Sequence, residues 1–206
     1  MAGSTKQRWL ILAHAFNMDG RAASQTITDK IPHLLAADIE LVVLSGALGE
    51  HDTRFEHHQL WPWGPAGIRF ELRHVLRKHL SGWVYRLSMG MLSIPLLPFM
   101  LLEKLLFPLE SSWSWQFAAT AKAKALAREK PFVWIYSTGG AYAAHLAACK
   151  LKKQLGVPWL AEVHDPFVVP GHTPQTRHEK TKLEVERQIC TEADVAVWFT
   201  DQALAS

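Results

Sequence analysis

The feature that most constrains the fold is a repeated alternation of short apolar runs with longer helical segments. The apolar runs occupy 9–16, 39–44, 132–136, 159–163 and 195–199, and the helical segments occupy 22–37, 115–128, 141–155 and 177–192. Strands that are covered by helices on both faces read as continuous apolar runs rather than as alternating patterns. The 206 residues suffice for one such domain. The sequence therefore predicts an α/β fold with a doubly wound parallel sheet.

The region between the second and third apolar runs is less regular. Residues 47–67 are polar, contain Gly and Trp, and are predicted to form a loop, whereas 68–72 are predicted to form a short third strand. Pro32 is expected to kink or split the first helix. The histidines outside the apolar runs lack metal-binding spacing and are predicted to be exposed in loops: His51, His57, His58, His172 and His178.

Composition and charge exclude several classes of protein. The chain is 49% apolar and 20% charged, which is typical of a folded domain, and its net charge of +3 disfavours a nucleic-acid partner. Cys149 and Cys190 lack CxxC spacing, which favours a reducing compartment and argues against a disulfide framework or a zinc site. The first apolar run is too short for a signal peptide, so we expect a cytoplasmic protein.

The segment 69–107 combines a basic part with an apolar part. Residues 87–102 are 16 uncharged residues that include Pro95 and Pro98, fewer than the roughly 20 residues needed to cross a bilayer. The preceding basic residues are Arg69, Arg73, Arg77, Lys78 and Arg86, with Glu71 the only acid among them. Two interpretations stay open: a peripheral element on the cytoplasmic face of a membrane, or a buried helix with a solvated basic face.

Polar residues at the carboxyl ends of the predicted strands are the candidate site, because ligands of such sheets bind there. They are Asp19, Gly20 and Arg21 after the first strand, Thr138, Gly139 and Gly140 after 132–136, His164 and Asp165 after 159–163, and Thr200 near the end. The two glycine turns precede helices, whose N-termini favour anions. Simple tight turns explain them equally well. The sequence lacks a GxGxxG fingerprint, a Walker A motif and a GxSxG elbow.

Three consecutive segments resemble glycosyltransferase family 4. In 134–148, a strand ends in a Ser-Thr turn and a helix carrying a His-Leu pair follows. Residues 155–166 resemble the Gly-Ile-Pro-Trp strand that leads into an Asp-Pro turn. Glu186-Arg187, 193–197 and Thr200 are similar to the family's ER, AD-x-V-V and T positions. The similarity extends in order over roughly residues 8–206 and is strongest from Trp134 onward.

The resemblance implies a retaining glycosyltransferase of the GT-B architecture, with two Rossmann-like domains and a cleft between them. This chain corresponds to the N-terminal domain, residues 1–206, which holds a glycan or lipid-linked acceptor. The donor domain with its Glu-x7-Glu motif would lie beyond Ser206 or on a partner subunit, so the chain alone is expected to be inactive. The donor would be a nucleotide-sugar, and no metal or other cofactor is expected. Gly20 would lie near the donor diphosphate, although the family's glycine pair is here Gly20-Arg21, and His164 would face the cleft near the transferred sugar.

Two other functions compete with this one. The chain is alternatively a non-catalytic Rossmann-like module that docks on a membrane or a partner, or one subunit of a split glycosyltransferase. An unrelated α/β enzyme that uses His164 and Asp165 is disfavoured because no nucleophile motif accompanies them.

Overall fold

The computed structural model describes residues 6–18, 20–168 and 173–199, in which strands and helices alternate. The strands are β1 (Arg8–Leu12), β2 (Glu40–Gly46), β3 (Glu56–Leu60), β4 (Trp134–Thr138), β5 (Trp159–Val163) and β6 (Val195–Trp198). The helices are α1 (Ala22–Ala36), α2 (Pro65–His79), α3 (Gly82–Leu106), α4 (Trp115–Glu129), α5 (Tyr142–Leu155) and α6 (Arg177–Glu192).

The strands form one parallel sheet in the order β3-β2-β1-β4-β5-β6. Successive residues of each strand face opposite sides, so β1 contributes to two cores. Leu10 and Leu12 pack with α4, α5 and α6 on one side, and Ile11 packs with Ile27 and Ile31 of α1 on the other. The predicted doubly wound α/β fold is confirmed. The strand order reverses between β1 and β4, and the crevice beyond their carboxyl ends is the expected ligand site.

The third strand was predicted in the wrong place. Residues 68–72 belong to α2, which begins with Pro65 at its first position and has no strand character. The actual strand β3 has the sequence Glu-His-His-Gln-Leu and pairs only with β2 at the edge of the sheet. An edge strand is partly solvated, so its sequence carries no apolar run to reveal it.

His57 corrects the prediction that the histidines outside the apolar runs are exposed. It lies in β3 and is 6% exposed. The Asp52 backbone N–H donates to its Nδ1 at 3.0 Å, so Nε2 carries the proton and donates to Ser45 Oγ at 2.9 Å. Burial lowers the pKa of His57 to about 4. Residue His172 lies outside the described residues, and His51 is exposed in a loop as predicted. The loop prediction is wrong for the other two, because His58 is half-buried in β3 and His178, although exposed, belongs to α6.

Prolines interrupt the helices less than expected. The helix α1 is continuous through Pro32, so of the two expected outcomes, a kink or a split, the split does not occur. The buried Ile27 and Ile31 before the proline and the partly buried Leu34 and Leu35 after it hold the helix against the sheet. The helix α3 likewise runs through Pro95 and Pro98 over 25 residues. Packing and the remaining backbone hydrogen bonds outweigh the single N–H that each proline lacks.

Candidate functional site

The structure brings together two of the predicted site residues at the mouth of the sheet. Thr138 ends β4 and His164 follows β5, and Thr138 Oγ1 lies 3.3 Å from His164 Nε2. Gly139 and Gly140 continue from Thr138 into the turn before α5. The neighbouring Asp165 is exposed to solvent, in agreement with the expectation that adjacent residues point in different directions.

The other predicted residues follow β1. Gly20, with φ of +69°, and Arg21, the residue before α1, are both exposed in the β1–α1 loop, at the same edge of the sheet. The loop is closed by a hydrogen bond from the Met18 backbone N–H to the buried Ser24 Oγ at 2.6 Å. Asp19 and Thr200 lie outside the described residues.

A buried carboxylate that sequence reasoning missed holds the His164 ring. Glu162 is 2% exposed, and its Oε1 lies 3.3 Å from His164 Nε2, which is an electrostatic contact without hydrogen-bond alignment. Its Oε2 accepts from Lys30 Nζ at 2.5 Å and from the Tyr136 hydroxyl. A carboxylate this close favours a proton on Nε2 of His164, and in the tautomer with that proton Nδ1 is the acceptor nitrogen.

The charges around Glu162 decide its protonation state. Burial alone raises the pKa of this carboxyl, but His164, Lys30 and Tyr136 together outweigh burial and bring it to about 2. Burial and the Glu162 charge in turn raise the pKa of Tyr136. Glu162 is therefore ionised at neutral pH. The ring of Phe199 stacks on His164 with centroids 4.3 Å apart, which fixes the plane of the imidazole.

The glycine turn rests on a second hydrogen-bond chain, centred on His145 of α5. Its Nε2–H donates to the Gly139 carbonyl at 3.0 Å, so its Nδ1 accepts from the Ser137 hydroxyl at 2.9 Å. Ser137 Oγ also accepts from Trp159 Nε1 at 2.8 Å. His145 is 1% exposed and burial lowers its pKa to about 4, so it is neutral and serves structure. Gly139 has φ of +105°, which a side chain would strain.

Replacing His145 with leucine is expected to destabilise the domain by about 2–3 kcal/mol, because the Gly139 carbonyl and the Ser137 hydroxyl lose their buried partner. Urea denaturation at pH 7 measures the change. The matched control is His33→Leu on the exposed surface of α1, which should stay within about 0.5 kcal/mol of the wild type. Equal stability of the two variants would refute the structural role of His145.

A carboxyl group already lies at the N-terminus of α5. Glu110 lies against the backbone N–H groups of Tyr142 and Ala143 and against Ser112. Burial raises its pKa, and the three polar contacts counter burial only in part. A phosphate at the Gly139-Gly140 turn would have to compete with this carboxyl, which makes the β1–α1 loop the more accessible anion site of the two.

A further buried pair lies beside this edge. His14 follows β1, and its Nε2 lies 2.9 Å from Oε1 of the fully buried Glu71 of α2. A Cβ on Gly46 would lie 2.7 Å from the same oxygen, so only glycine fits at the end of β2. This pair fixes α2 over the carboxyl ends of β1 and β2. The single acid within a basic segment was its only signal in the sequence.

The helices α2 and α3 form an antiparallel hairpin whose second arm is largely uncovered. Among the described residues, α3 alone is long and apolar enough to cross a bilayer by length and composition, and only 6% of its most apolar stretch is buried. Its large side chains stand in solvent; Met91 and Leu105, for example, are 68% and 72% exposed. The interpretation of 69–107 as a buried helix is therefore wrong for this structure.

The far end of α3 is anchored to the domain. Glu103 is buried and accepts from the Ala66 backbone N–H at 2.8 Å and from Trp113 Nε1 at 2.6 Å. Arg177 of α6 donates to the Leu105 and Leu106 carbonyls, each at 3.1 Å, and so caps the helix. The exposed apolar face thus belongs to a helix that is held to the domain at the open end of the hairpin.

Within the described ranges, no group of three or more His, Cys, Asp or Glu residues could hold a metal ion. No protein-family profile matches the chain, and no curated protein matches it.

Proposed function

We propose that this chain is the acceptor-side domain of a retaining glycosyltransferase of GT-B architecture, similar to family 4, that works on a membrane surface. The observation that carries the proposal is the His164 site. Its imidazole is fixed at the mouth of the sheet by Thr138, Glu162 and Phe199, beside the open Gly139-Gly140 turn. The doubly wound fold and the order of the family-like motifs support it.

In this proposal His164 orients the reacting groups. With Nε2 directed at Glu162 and Thr138, the free Nδ1 accepts a hydrogen bond from a sugar or acceptor hydroxyl in the cleft. The ionised Glu162 strengthens this role because it favours a protonated Nε2 and a fixed ring orientation. Stabilisation of the leaving nucleoside diphosphate by positive charge would fall to the β1–α1 loop, with Gly20 and Arg21, and to a donor domain.

The hairpin indicates how the domain meets the membrane. Arg69 of α2 donates to Ser93 Oγ near the middle of α3 at 3.0 Å, so α2 runs alongside the apolar arm. If α3 crossed the bilayer, Arg69 and the other cations of α2 would enter the hydrocarbon, at a cost of several kcal/mol. An orientation in the plane of the cytoplasmic face avoids this cost, with apolar side chains in the interface and cations at the headgroups.

Sugar transfer by the full natural protein, with any further domain that its gene encodes, tests the proposal. Membranes that contain the protein are incubated with labelled UDP- and GDP-sugars, and incorporation into lipid and polymer fractions is counted. We expect transfer, and a loss of about 100-fold or more for His164→Ala. His33→Ala is the matched control. Absence of transfer from every donor, or full activity of His164→Ala, would contradict the assignment.

The second candidate is a non-catalytic module that docks on membranes, or one subunit of a split enzyme. The uncovered α3 favours docking independently of any chemistry. Vesicle binding without sugar turnover would support the docking module. Turnover restored by adding the product of a neighbouring gene would support the split enzyme.

A further inference from the structure

A cleft of about 220 Å³ opens between α2 and the loops that follow β1 and β2. Its α2 wall carries His74, Arg77 and Lys78, and its other wall carries Asn17, Met18, Leu48 and Glu50. Asn17 and Met18 belong to the same β1–α1 loop as Gly20 and Arg21. The cleft therefore adjoins the crevice at the strand-order reversal.

The basic wall is held in place by the buried part of α2. Glu71, His74 and Lys78 are spaced three and four residues apart, so they share one face of the helix. Glu71 contacts His14 on the sheet side of α2. This contact places His74 and Lys78 beside the loops that follow β1 and β2. Nδ1–H of His74 donates to the Phe70 carbonyl at 2.9 Å, and the other ring nitrogen makes no hydrogen bond to any described residue.

The described residues place little negative charge against this wall. Arg77 and Lys78 form no ion pair with a carboxylate within residues 6–18, 20–168 and 173–199. Glu50 is the only acid among the described residues that line the cleft. The two cations and the imidazole of the α2 wall suit an anion with several acceptor oxygens, for which arginine and lysine supply converging donors.

The cleft is connected to the membrane-facing helix. Arg77 also lines a second, wider cleft of about 470 Å³ at the elbow of the hairpin, with Leu80, Tyr85 and Arg86. Tyr85 and Arg86 lie in the first turns of α3, where the exposed apolar surface begins. A lipid whose tail stays in the interface can therefore reach Arg77 and Lys78 with its head.

We infer that this cleft binds the phosphate of a lipid-linked acceptor. His74, Arg77 and Lys78 hold the phosphate, while the lipid chain runs out past Tyr85 along α3. The inference rests on the in-plane orientation of α3 in the proposed function and adds the acceptor class, a phosphate ester anchored in the membrane. A free phosphate ester has the same chemistry but would make no use of the elbow or of the apolar helix.

The test measures binding of the full natural protein to vesicles. One set contains phosphatidylcholine with phosphatidic acid, a phosphate monoester, and the other contains phosphatidylserine adjusted to the same surface charge. We expect about tenfold tighter binding to phosphatidic acid in the wild type, and loss of that preference in the double variant Arg77→Ala/Lys78→Ala. Millimolar soluble glycerol phosphate should leave the preference unchanged.

The matched control is Arg128→Ala/Lys180→Ala, which removes one arginine and one lysine from exposed positions of α4 and α6. It should keep the preference. An equal loss of binding to both vesicle types in Arg77→Ala/Lys78→Ala would mean that the two cations attract anionic lipid in general and do not recognise the phosphate monoester. That result would overturn the inference. Displacement by soluble glycerol phosphate would overturn it as well, in favour of a free ligand.

The two proposals fail separately. If sugar transfer is found but the Arg77→Ala/Lys78→Ala variant keeps its lipid preference, the cleft assignment fails and the enzyme assignment stands. If the preference depends on Arg77 and Lys78 while no sugar is transferred, the glycosyltransferase assignment fails, and the cleft belongs to a docking module.

Discussion

Glu162→Gln is expected to lower the free energy of unfolding by about 3 kcal/mol at pH 7. The pKa of Glu162 falls from 4.5 to about 2 in the folded protein, and each pKa unit corresponds to about 1.4 kcal/mol. The side chain is 3% exposed, so solvent screening is slight. Because the folded pKa is depressed, this stabilisation is complete above pH 4.5 and disappears as the pH falls through about 2. The two proteins should therefore converge in acid.

The measurement is urea denaturation of both proteins at several pH values between 2 and 7. The buried His57, with a pKa of about 4, destabilises the folded state between pH 6.5 and 4 in both proteins and so leaves the difference unchanged. Glu129→Gln, at an exposed position on α4, is the control and should change stability by less than about 0.5 kcal/mol. If the free energies of unfolding of wild type and Glu162→Gln stay a constant distance apart down to pH 2, the ionised Glu162 is not stabilised by its partners.

The sequence contained more of this site than its motifs suggested. His164 and Thr138 were predicted at the ends of two strands, and the parallel register places those strands side by side. Glu162 was missed because it lies inside β5, whereas the candidate residues were taken from the ends of the strands. It lies two residues before His164, so both belong to one face of an extended segment. A lone carboxylate within the apolar run 159–163 was the available signal.

Other parts of the site depend on packing that no local pattern reveals. Lys30 is in the middle of α1, and only the doubly wound fold brings it to Glu162, 132 residues away in the chain. The ends of β1, β2 and the middle of α2 meet through His14, Gly46 and Glu71, whose spacing in the sequence is irregular. The central strands were predictable because they are apolar throughout. The edge strand β3 and the helix α2 were not, because their polar sequences leave the choice to tertiary contacts.

The helix α3 is longer than the sequence pattern predicted. The uncharged run covers only 87–102, whereas the helix extends over Gly82–Leu106. The additional turns at each end contain charged residues, which do not interrupt the helix. Glu103 turns inward to Ala66 and Trp113, and Arg86 lies at the elbow. The uncharged run therefore located the helix but underestimated its length.

The triple variant Met91→Glu/Ile94→Glu/Leu101→Glu is expected to weaken vesicle binding at least about 100-fold. These side chains are 68%, 66% and 68% exposed on α3, and insertion of a large apolar side chain contributes on the order of 1.5–3 kcal/mol when complete. Partial insertion of three such side chains exceeds the roughly 2.7 kcal/mol that a 100-fold change requires. Because none of the three is buried, the free energy of unfolding should change little. Sedimentation with vesicles of mixed phosphatidylcholine and phosphatidylserine measures the binding.

The matched control adds the same three negative charges elsewhere, as Gln25→Glu/Ala125→Glu/Gln154→Glu on the exposed surfaces of α1, α4 and α5. Repulsion from anionic lipid acts on both triple variants, but it falls off within about 8 Å at physiological salt, so the control should lose less than about fivefold. Equal losses in the two variants would mean that charge alone governs binding. Unchanged binding of the α3 variant would mean that the exposed apolar face meets another protein surface, and the in-plane membrane orientation would then have to be abandoned.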